Sequence, residues 1–345
     1  MTTSAPALIE GYDLALCDLD GVAFHGAERE HTAINGIAAA REAGLRFLFV
    51  TNNAMRTPGQ VAQHLSERGI PTEADDVLTS AMAAAHLCAS LHPGALVLGV
   101  GGDGLREALR NEGLRLTDTA DDNPDVVVQG LDRAIGWPEL SEATLAVRAG
   151  ADFIATNLDT TLPTERGFAI GNGSLVAAVV SATGVQPKST GKPDPQLFIS
   201  AAEARGARRP LGIGDRLDTD IRGSRAAAYD CVHVLTGVST ARDVCAAPKE
   251  DRPTYLLVDL RELTLPYTAP QVALDEEAAH GTCRGARVRV NAETMVVREG
   301  EQWVPLTDGA TVSVHAYRAL AACTWALRDA GRKAALVDFT VESPQ

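Results

Sequence analysis

No apolar run in this sequence approaches the ~20 residues that a membrane-spanning helix needs. The longest, such as LRFLFV and DVVV, are the size of strands. The opening segment MTTSAPALIEGYD has neither a basic region nor an apolar stretch, so it does not read as a secretory signal. Cysteine is sparse and scattered: Cys17, Cys88, Cys231, Cys245, Cys283 and Cys323, with no CxxC pair. That argues against a zinc site and against a disulfide framework, and it fits a reducing cytoplasm, the expected location. Positive charge is in deficit, with 31 lysines and arginines against 45 aspartates and glutamates and a net charge of -14. A surface of that sign repels polyanions, so neither nucleic acid nor an anionic membrane is an expected partner. It also opposes an anionic substrate, so any phosphate site must bring its own positive charge from a metal, a lysine or helix N-termini. Tandem repeats and low-complexity tracts are absent too.

What is present is the mix of a globular protein, 45% hydrophobic and 22% charged over 345 residues, long enough for two or three domains with their own cores. The first two-thirds alternate short apolar runs with longer amphipathic ones. YDLALCDLD, RFLFVTNN, ALVLGVGG, DVVVQG, DFIATN, RPLGIGD and YDCVHVLTG read as strands; VAQHLSERG, LREALRNEG and AEARG read as helical. Buried strands joined by helical crossovers imply a parallel α/β sheet, Rossmann-like in its winding. Several strands end in polar clusters, DLD, TNN, ATN and IGD, where ligands bind in open α/β sheets. After about residue 265 the texture changes. TLPYTAPQVALDEEAAHGT reads as loop, RVRVN, ETMVVRE and QWVPL as short strands, AYRALAACTWALRDAG as a helix and KAALVDFTVE as a last strand. This is the pattern of a small α+β module.

Four elements carry chemistry. Asp18-Leu19-Asp20-Gly21-Val22 closes the first strand, and strand alternation puts Asp18 and Asp20 on one side. Two neighbouring carboxylates raise one another's pKa unless a cation intervenes; a metal beside one leaves the other as acid and base. Thr51-Asn52-Asn53 follows the strand FLFV and offers a hydroxyl and backbone N–H groups to phosphate oxygens. Lys192, between Gly191 and Pro193, lies on a stiff turn. Asp215, Asp218 and Asp220 follow the strand LGI and supply carboxylates for a hard cation such as Mg²⁺. Alone, each is a common cap or turn; in this order, each after a strand, they form a set.

The set resembles the haloacid dehalogenase superfamily of phosphatases, whose pattern runs DxDG[TV], Ser/Thr at a strand end, Lys, then GDxxxxD. The stretch from Asp18 to Thr51 has room for a flap and one helix; that from Thr51 to Lys192 is far longer than a crossover, so a cap domain is inserted there. That placement, with VTNNAMRTP, ATNLDTTLPTERG, GNGSLVAAV, GKPDP and GDRLDTDI, is similar to the subfamily of p-nitrophenyl, phosphoglycolate and pyridoxal phosphatases. The TLPTERG loop and the C-terminal extension also resemble actinobacterial glycerol-3-phosphate phosphatases, which carry a truncated acetyltransferase-like tail. The resemblance implies a phosphatase core over 1–81 and 189–264, a cap over 82–188, and a C-terminal α+β domain over 265–345. It implies Asp18 as nucleophile, Asp20 as acid and base, and Thr51, Asn52, Asn53 and Lys192 as phosphate ligands. Mg²⁺ would be held by Asp18, the backbone carbonyl of Asp20, and Asp215, with Asp220 in support. The substrate would be a small phosphorylated metabolite, glycerol 3-phosphate first and 2-phosphoglycolate or another short ester next, and two copies would pair through the cap.

The cap segment from Asn157 to Arg166 is the expected substrate-reading loop. Leu162 stands where pyridoxal phosphatases of the subfamily have histidine, which weighs against pyridoxal phosphate. Glu165 and Arg166 have two open readings, contacts to a polar leaving group or a pair of their own. His25 falls in the expected flap. A reading of a different class rests on Gly99-Val100-Gly101-Gly102-Asp103-Gly104, a GxGxxG between a strand and a helix. It would make this a dinucleotide-binding protein with Asp118, Asp121 or Asp122 toward a ribose. The bland alternative is a glycine-rich turn opening the cap.

Overall fold

The structure, a computed structural model, describes residues 6–342 except His25 and Glu165. The chain forms two compact units, Met1–Phe47 with Ala207–Gln345, and Leu48–Gly206.

In the first unit, four parallel strands lie in the order Tyr255–Leu257, Asp230–Val234, Pro210–Gly214, Leu14–Cys17. Leu14–Cys17 and Pro210–Gly214 are buried at every position, the continuous apolar pattern of strands covered on both faces. A single helix, Gly26–Glu42, follows the first strand and packs on the turn Leu260–Thr264. Gly36 makes the approach close: a Cβ there would sit 2.5 Å from the Leu260 carbonyl carbon.

The C-terminal segment of this unit is an antiparallel sheet of Gln271–Leu274, Ala279–Cys283, Ala286–Val290, Met295–Glu299 and Gln302–Pro305. The helix Val314–Asp329 packs against it, started by Ser313, whose Oγ accepts from Ala316 N. One apolar cluster runs through both parts of the unit. It joins Leu217, Ile221, Val244 and Leu256 to Val288, Met295, Tyr317, Leu320 and Phe339. Two expectations fail here. QVAL, taken as loop, is a strand; all four residues are exposed, and it is held by its pairing with Ala279–Cys283. KAALVDFTVE is a strand only at Phe339–Val341, which pairs with Ala310–Val312. Ala334 to Val337 are irregular and lean on the shared cluster instead.

The strand Arg46–Thr51 enters the second unit at Leu48, where Phe49 to Thr51 pair in parallel with Val77–Thr79. A five-stranded parallel sheet has the order Lys188–Ser189, Asp152–Ala155, Val126–Gln129, Leu96–Val100, Arg115–Thr117. Helices cover both faces. Val126 and Val128 face one cluster with Leu105 and Leu109, while Val127 faces another with Val147 and Val176. Thr57, with Pro58 behind it, caps the helix Pro58–Glu67; Asp194, with Pro195, caps Pro195–Ala204. The TLPTERG segment forms a hairpin, Thr161–Thr164 with Gly167–Ile170. Among the described residues, no helix is long and apolar enough to cross a membrane.

Candidate active site

Asp18 leaves the end of the first strand with its N–H on the Ile213 carbonyl at 2.9 Å and its side chain buried. Ala23 N and Phe24 N then both return to the Leu19 carbonyl, and Gly21 takes φ 87°, a left-handed value open to glycine. Gly21 also has no room for a side chain, since a Cβ would overlap the Asp215 carboxylate.

Asp215 follows Pro210–Gly214 and is fully buried. Its Oδ2 accepts from Val238 N at 2.6 Å. Its carbonyl oxygen accepts from His233 Nε2 at 3.0 Å, so that nitrogen carries the proton. Burial lowers the His233 pKa to about 4, partly opposed by the Asp215 carbonyl, so the ring is neutral near pH 7. Thr236 Oγ1 donates to the Gly21 carbonyl at 2.6 Å and ties the two motif turns together. Asp220 lies in a π-type turn, Leu217–Ile221, with Oδ2 accepting from Arg216 N at 3.1 Å.

Asp18, Asp215 and Asp220 thereby each present a carboxylate oxygen within 4.8 Å of the others, and all three are buried. Carboxylates this close repel one another, and a cation placed among them relieves that repulsion. Oxygen donors from carboxylates suit Mg²⁺ or Ca²⁺ rather than a soft metal. The donor set fits a hard divalent ion. The Asp20 side chain stands outside this cluster and is exposed; the part expected of it in metal binding was through its main-chain carbonyl.

The second unit carries the other motif residues. Thr51 is buried, and its Oγ1 accepts from Asn53 N at 3.1 Å; Asn53 Oδ1 accepts from Met55 N at 2.9 Å. Lys192 is 5% exposed, with Nζ donating to the Val50 carbonyl at 3.2 Å. A lysine so enclosed must be paired or used. The Asn52 carboxamide holds both peptide groups of Lys192, through N at 2.8 Å and O at 3.1 Å. Asn157 is buried and donates to the Asn52 carbonyl at 2.8 Å. Leu162 is half-buried and Arg166 exposed on the hairpin, its N–H on Thr164 Oγ1 at 3.3 Å. Glu165 and His25 lie outside the described residues.

The sequence over residues 15–115 matches the family model of haloacid dehalogenase-like hydrolases, and residues 189–263 match a second model, HAD-hydrolase-like. The D-glycerol 3-phosphate phosphatase of Mycobacterium tuberculosis is 47% identical over 258 residues, 74% of this chain and 72% of that protein. This chain belongs to the haloacid dehalogenase-like hydrolases. The acid sugar phosphatase of Staphylococcus saprophyticus is 41% identical over 257 residues, 74% of this chain and 98% of that one. A crystal structure of M. tuberculosis glycerol phosphate phosphatase in complex with magnesium superposes with TM-score 0.79 at 38% identity, over 99% of this chain and 96% of that one. A p-nitrophenyl phosphatase from Archaeoglobus fulgidus gives 0.67 at 28% identity, over 73% and 98%. The first structural likeness therefore extends through the C-terminal segment.

In this hydrolase the GVGGDG glycines have a structural role. Gly104 N donates to the Met55 carbonyl at 3.1 Å, and a Cβ on Gly104 would lie 2.5 Å from the Arg56 oxygen. The start of the helix Asp103–Asn111 is thus filled by the chain's own 54–56 backbone, where a dinucleotide would need its pyrophosphate. Two of the three ribose candidates are engaged locally: Asp118 accepts from Arg106 at 2.5 Å and Asp122 from Thr117 at 2.5 Å.

All six cysteines are buried thiols outside any disulfide. Burial pushes Cys231 up to about 11 and Cys245 up to about 12, so they are inert thiols near pH 7. Sequence reasoning missed Val238 as a support of Asp215, Thr236 as the tie to Gly21, and His233 as the partner of the Asp215 carbonyl. A histidine on an otherwise apolar strand was the one local signal for the last.

Proposed function

We propose that this hydrolase removes phosphate from glycerol 3-phosphate by way of an aspartyl-phosphate on Asp18. The observation that carries the chemistry is the buried Asp18, Asp215 and Asp220 cluster at the ends of two adjacent parallel strands. The choice of substrate is supported by the 47% identity to a D-glycerol 3-phosphate phosphatase. At the coarser level, the chain is a phosphatase of small phosphate esters. Its family and its donor set agree with Mg²⁺ as the cofactor.

In the first step an Asp18 carboxylate oxygen attacks phosphorus in line with the ester oxygen. The new O–P bond forms as the ester P–O bond breaks, and Asp20 gives its proton to the departing glycerol oxygen. In the second step Asp20, now a carboxylate, takes a proton from water as the water oxygen attacks phosphorus, freeing Asp18 and inorganic phosphate. Thr51, Asn53, Lys192 and the backbone of Asn52 bind the phosphoryl oxygens. A divalent ion held by Asp18, the Asp20 carbonyl and Asp215, with Asp220 in support, supplies charge neutralisation. Splitting the reaction spares a direct attack of water on a dianionic ester. In this reading 1–81 and 189–264 perform the chemistry, 82–188 selects the substrate, and two copies associate through 82–188.

The test is phosphate release from glycerol 3-phosphate, 2-phosphoglycolate, a hexose phosphate and p-nitrophenyl phosphate, with Mg²⁺. The highest kcat/KM is expected for glycerol 3-phosphate. A higher value for 2-phosphoglycolate would keep the mechanism and change the substrate.

A further inference from the structure

The Asn52 carboxamide has less freedom than a phosphate ligand needs. Its Oδ1 accepts from Lys192 N at 2.8 Å, while Nδ2 donates to the Lys192 carbonyl at 3.1 Å and to Asp159 Oδ2 at 3.0 Å. A backbone N–H can only donate, so Oδ1 must face Lys192 N; Nδ2 then faces two acceptors, and both its protons are spent. The backbone carbonyl of Asn52 is also occupied, by Ser80 Oγ at 2.7 Å and Asn157 Nδ2 at 2.8 Å. Asn52 therefore joins three segments: the strand end at Thr51, the Lys192 turn, and the base of the hairpin.

Asp159 is the hairpin's side of this junction. Its N–H rests on Asn157 Oδ1 at 3.2 Å, and its carbonyl accepts from Gly173 N at 2.8 Å. Thr160 is held likewise, its carbonyl accepting from Gly171 N at 2.9 Å and Ser174 Oγ at 2.7 Å. Buried Asn172 donates to the Asn157 carbonyl at 2.8 Å from behind. The packing leaves no slack. A Cβ on Gly191 would meet Asn157 Cβ and the Thr156 carbonyl at 2.6 Å and Asn52 Oδ1 at 2.9 Å.

We infer that Asp159 is a positioning residue which, through Asn52, fixes the substrate-reading hairpin to the Lys192 turn, and so sets which phosphate esters are accepted. The inference rests on the phosphatase reading. The carboxylate needs no contact with substrate. It supplies a charge-assisted acceptor that holds the Asn52 carboxamide in the one orientation able to bracket both peptide groups of Lys192. Shifting such a clamp moves the hairpin and the lysine together, so loss of the carboxylate weakens selection among leaving groups as well as rate.

The experiment compares wild type, Asp159→Ala and Asp159→Asn on glycerol 3-phosphate, 2-phosphoglycolate and p-nitrophenyl phosphate, with thermal unfolding alongside. For Asp159→Ala the KM for the preferred ester should rise about tenfold or more, the scale of one misplaced positioning contact. The kcat/KM ratio between esters should contract by a similar factor. Asp159→Asn, which still offers an acceptor oxygen to Asn52, should recover most of both losses. Equal losses on every ester that follow a lowered Tm would make Asp159 a stability residue and overturn the inference, as would an unchanged ratio in Asp159→Ala. In either case wild-type turnover would leave the phosphatase reading standing. Wild type releasing phosphate from none of the esters would overturn that reading, and this inference with it.

Discussion

Arg318 donates through Nη2 to Glu262 Oε2 at 2.6 Å, across 56 residues of chain, with the two residues only 3% and 6% exposed. Arg318 Nε also reaches the Leu256 carbonyl at 2.9 Å, and its guanidinium lies over the Tyr267 ring at 4.3 Å. Glu262 Oε1 accepts from Val258 N at 2.7 Å. This network fastens the C-terminal helix to the end of the hydrolase region. Removing one partner leaves a buried charge alone, so Arg318→Met should cost about 3–5 kcal/mol in a denaturant titration. Adding Glu262→Gln, which keeps an acceptor for Val258 N, should restore part of that stability. A double variant no better than Arg318→Met would show that the cost comes from lost packing.

The same pair predicts a pH slope. Burial raises the Glu262 pKa above its ordinary 4.5, with the Val258 N–H and Arg318 opposing. The folded carboxyl then holds its proton to higher pH than the unfolded one. Between those two values the folded state binds more protons, so this group's contribution to stability falls as pH rises. Glu262→Gln should therefore flatten the stability profile above about pH 4.5, the ordinary glutamate range. Identical slopes for variant and wild type would mean the carboxyl titrates normally.

Asp18→Asn should abolish turnover, because a carboxamide cannot form the acyl phosphate. Asp20→Asn should lower kcat by about 10²–10⁴, the usual worth of a proton-transfer group. Rapid-quench measurement on Asp20→Asn with p-nitrophenyl phosphate, whose leaving group needs no proton, should show phosphate trapped on the protein. Near-normal turnover of either variant would remove the role assigned to that residue.

Gly237 tests how tightly Asp215 is placed. A Cβ at 237 would overlap the Asp215 carboxylate, which the neighbouring Val238 N–H holds at 2.6 Å. Gly237→Ala must displace the carboxylate, and a loss of about 10²-fold in kcat/KM is expected from a shift on the 1 Å scale. The Mg²⁺ concentration for half-maximal activity should rise with it. Activity within twofold of wild type would mean that the 236–239 turn yields instead.

Asp18 and Asp215 were legible because each closes an apolar run, and strand ends are where α/β sheets place polar residues; Asp220 was legible only as part of the polar stretch that Asp215 opens. The parallel strands were legible for the same reason: burial on both faces leaves an unbroken apolar word such as VVV. The Gln271–Leu274 strand left no such trace, since all four residues are exposed and only a neighbour's backbone holds them. Lys333 to Asp338 misled in the opposite way, with apolar residues that pack without a ladder. Asn52 was read as a phosphate-binding motif residue. Its partners Lys192 and Asp159 lie far along the chain, and its own neighbours say nothing of where its carboxamide points. Long-range polar contacts have no periodicity to betray them.

The carboxylate cluster makes a prediction that does not depend on turnover. Asp18, Asp215 and Asp220 repel one another within 4.8 Å unless a cation lies among them. Ligand that binds only the folded state stabilises it by RT ln(1 + [L]/Kd), about 2.7 kcal/mol at a hundredfold excess over Kd. Mg²⁺ should therefore raise the Tm of substrate-free protein, and a chelator should both reverse the shift and abolish phosphate release. Asp215→Asn relieves repulsion and removes a ligand, so its metal-free Tm should equal or exceed that of wild type while its Mg²⁺-induced shift shrinks. A full shift in Asp215→Asn would place the ion elsewhere; chelator-resistant phosphate release would remove the metal from the mechanism.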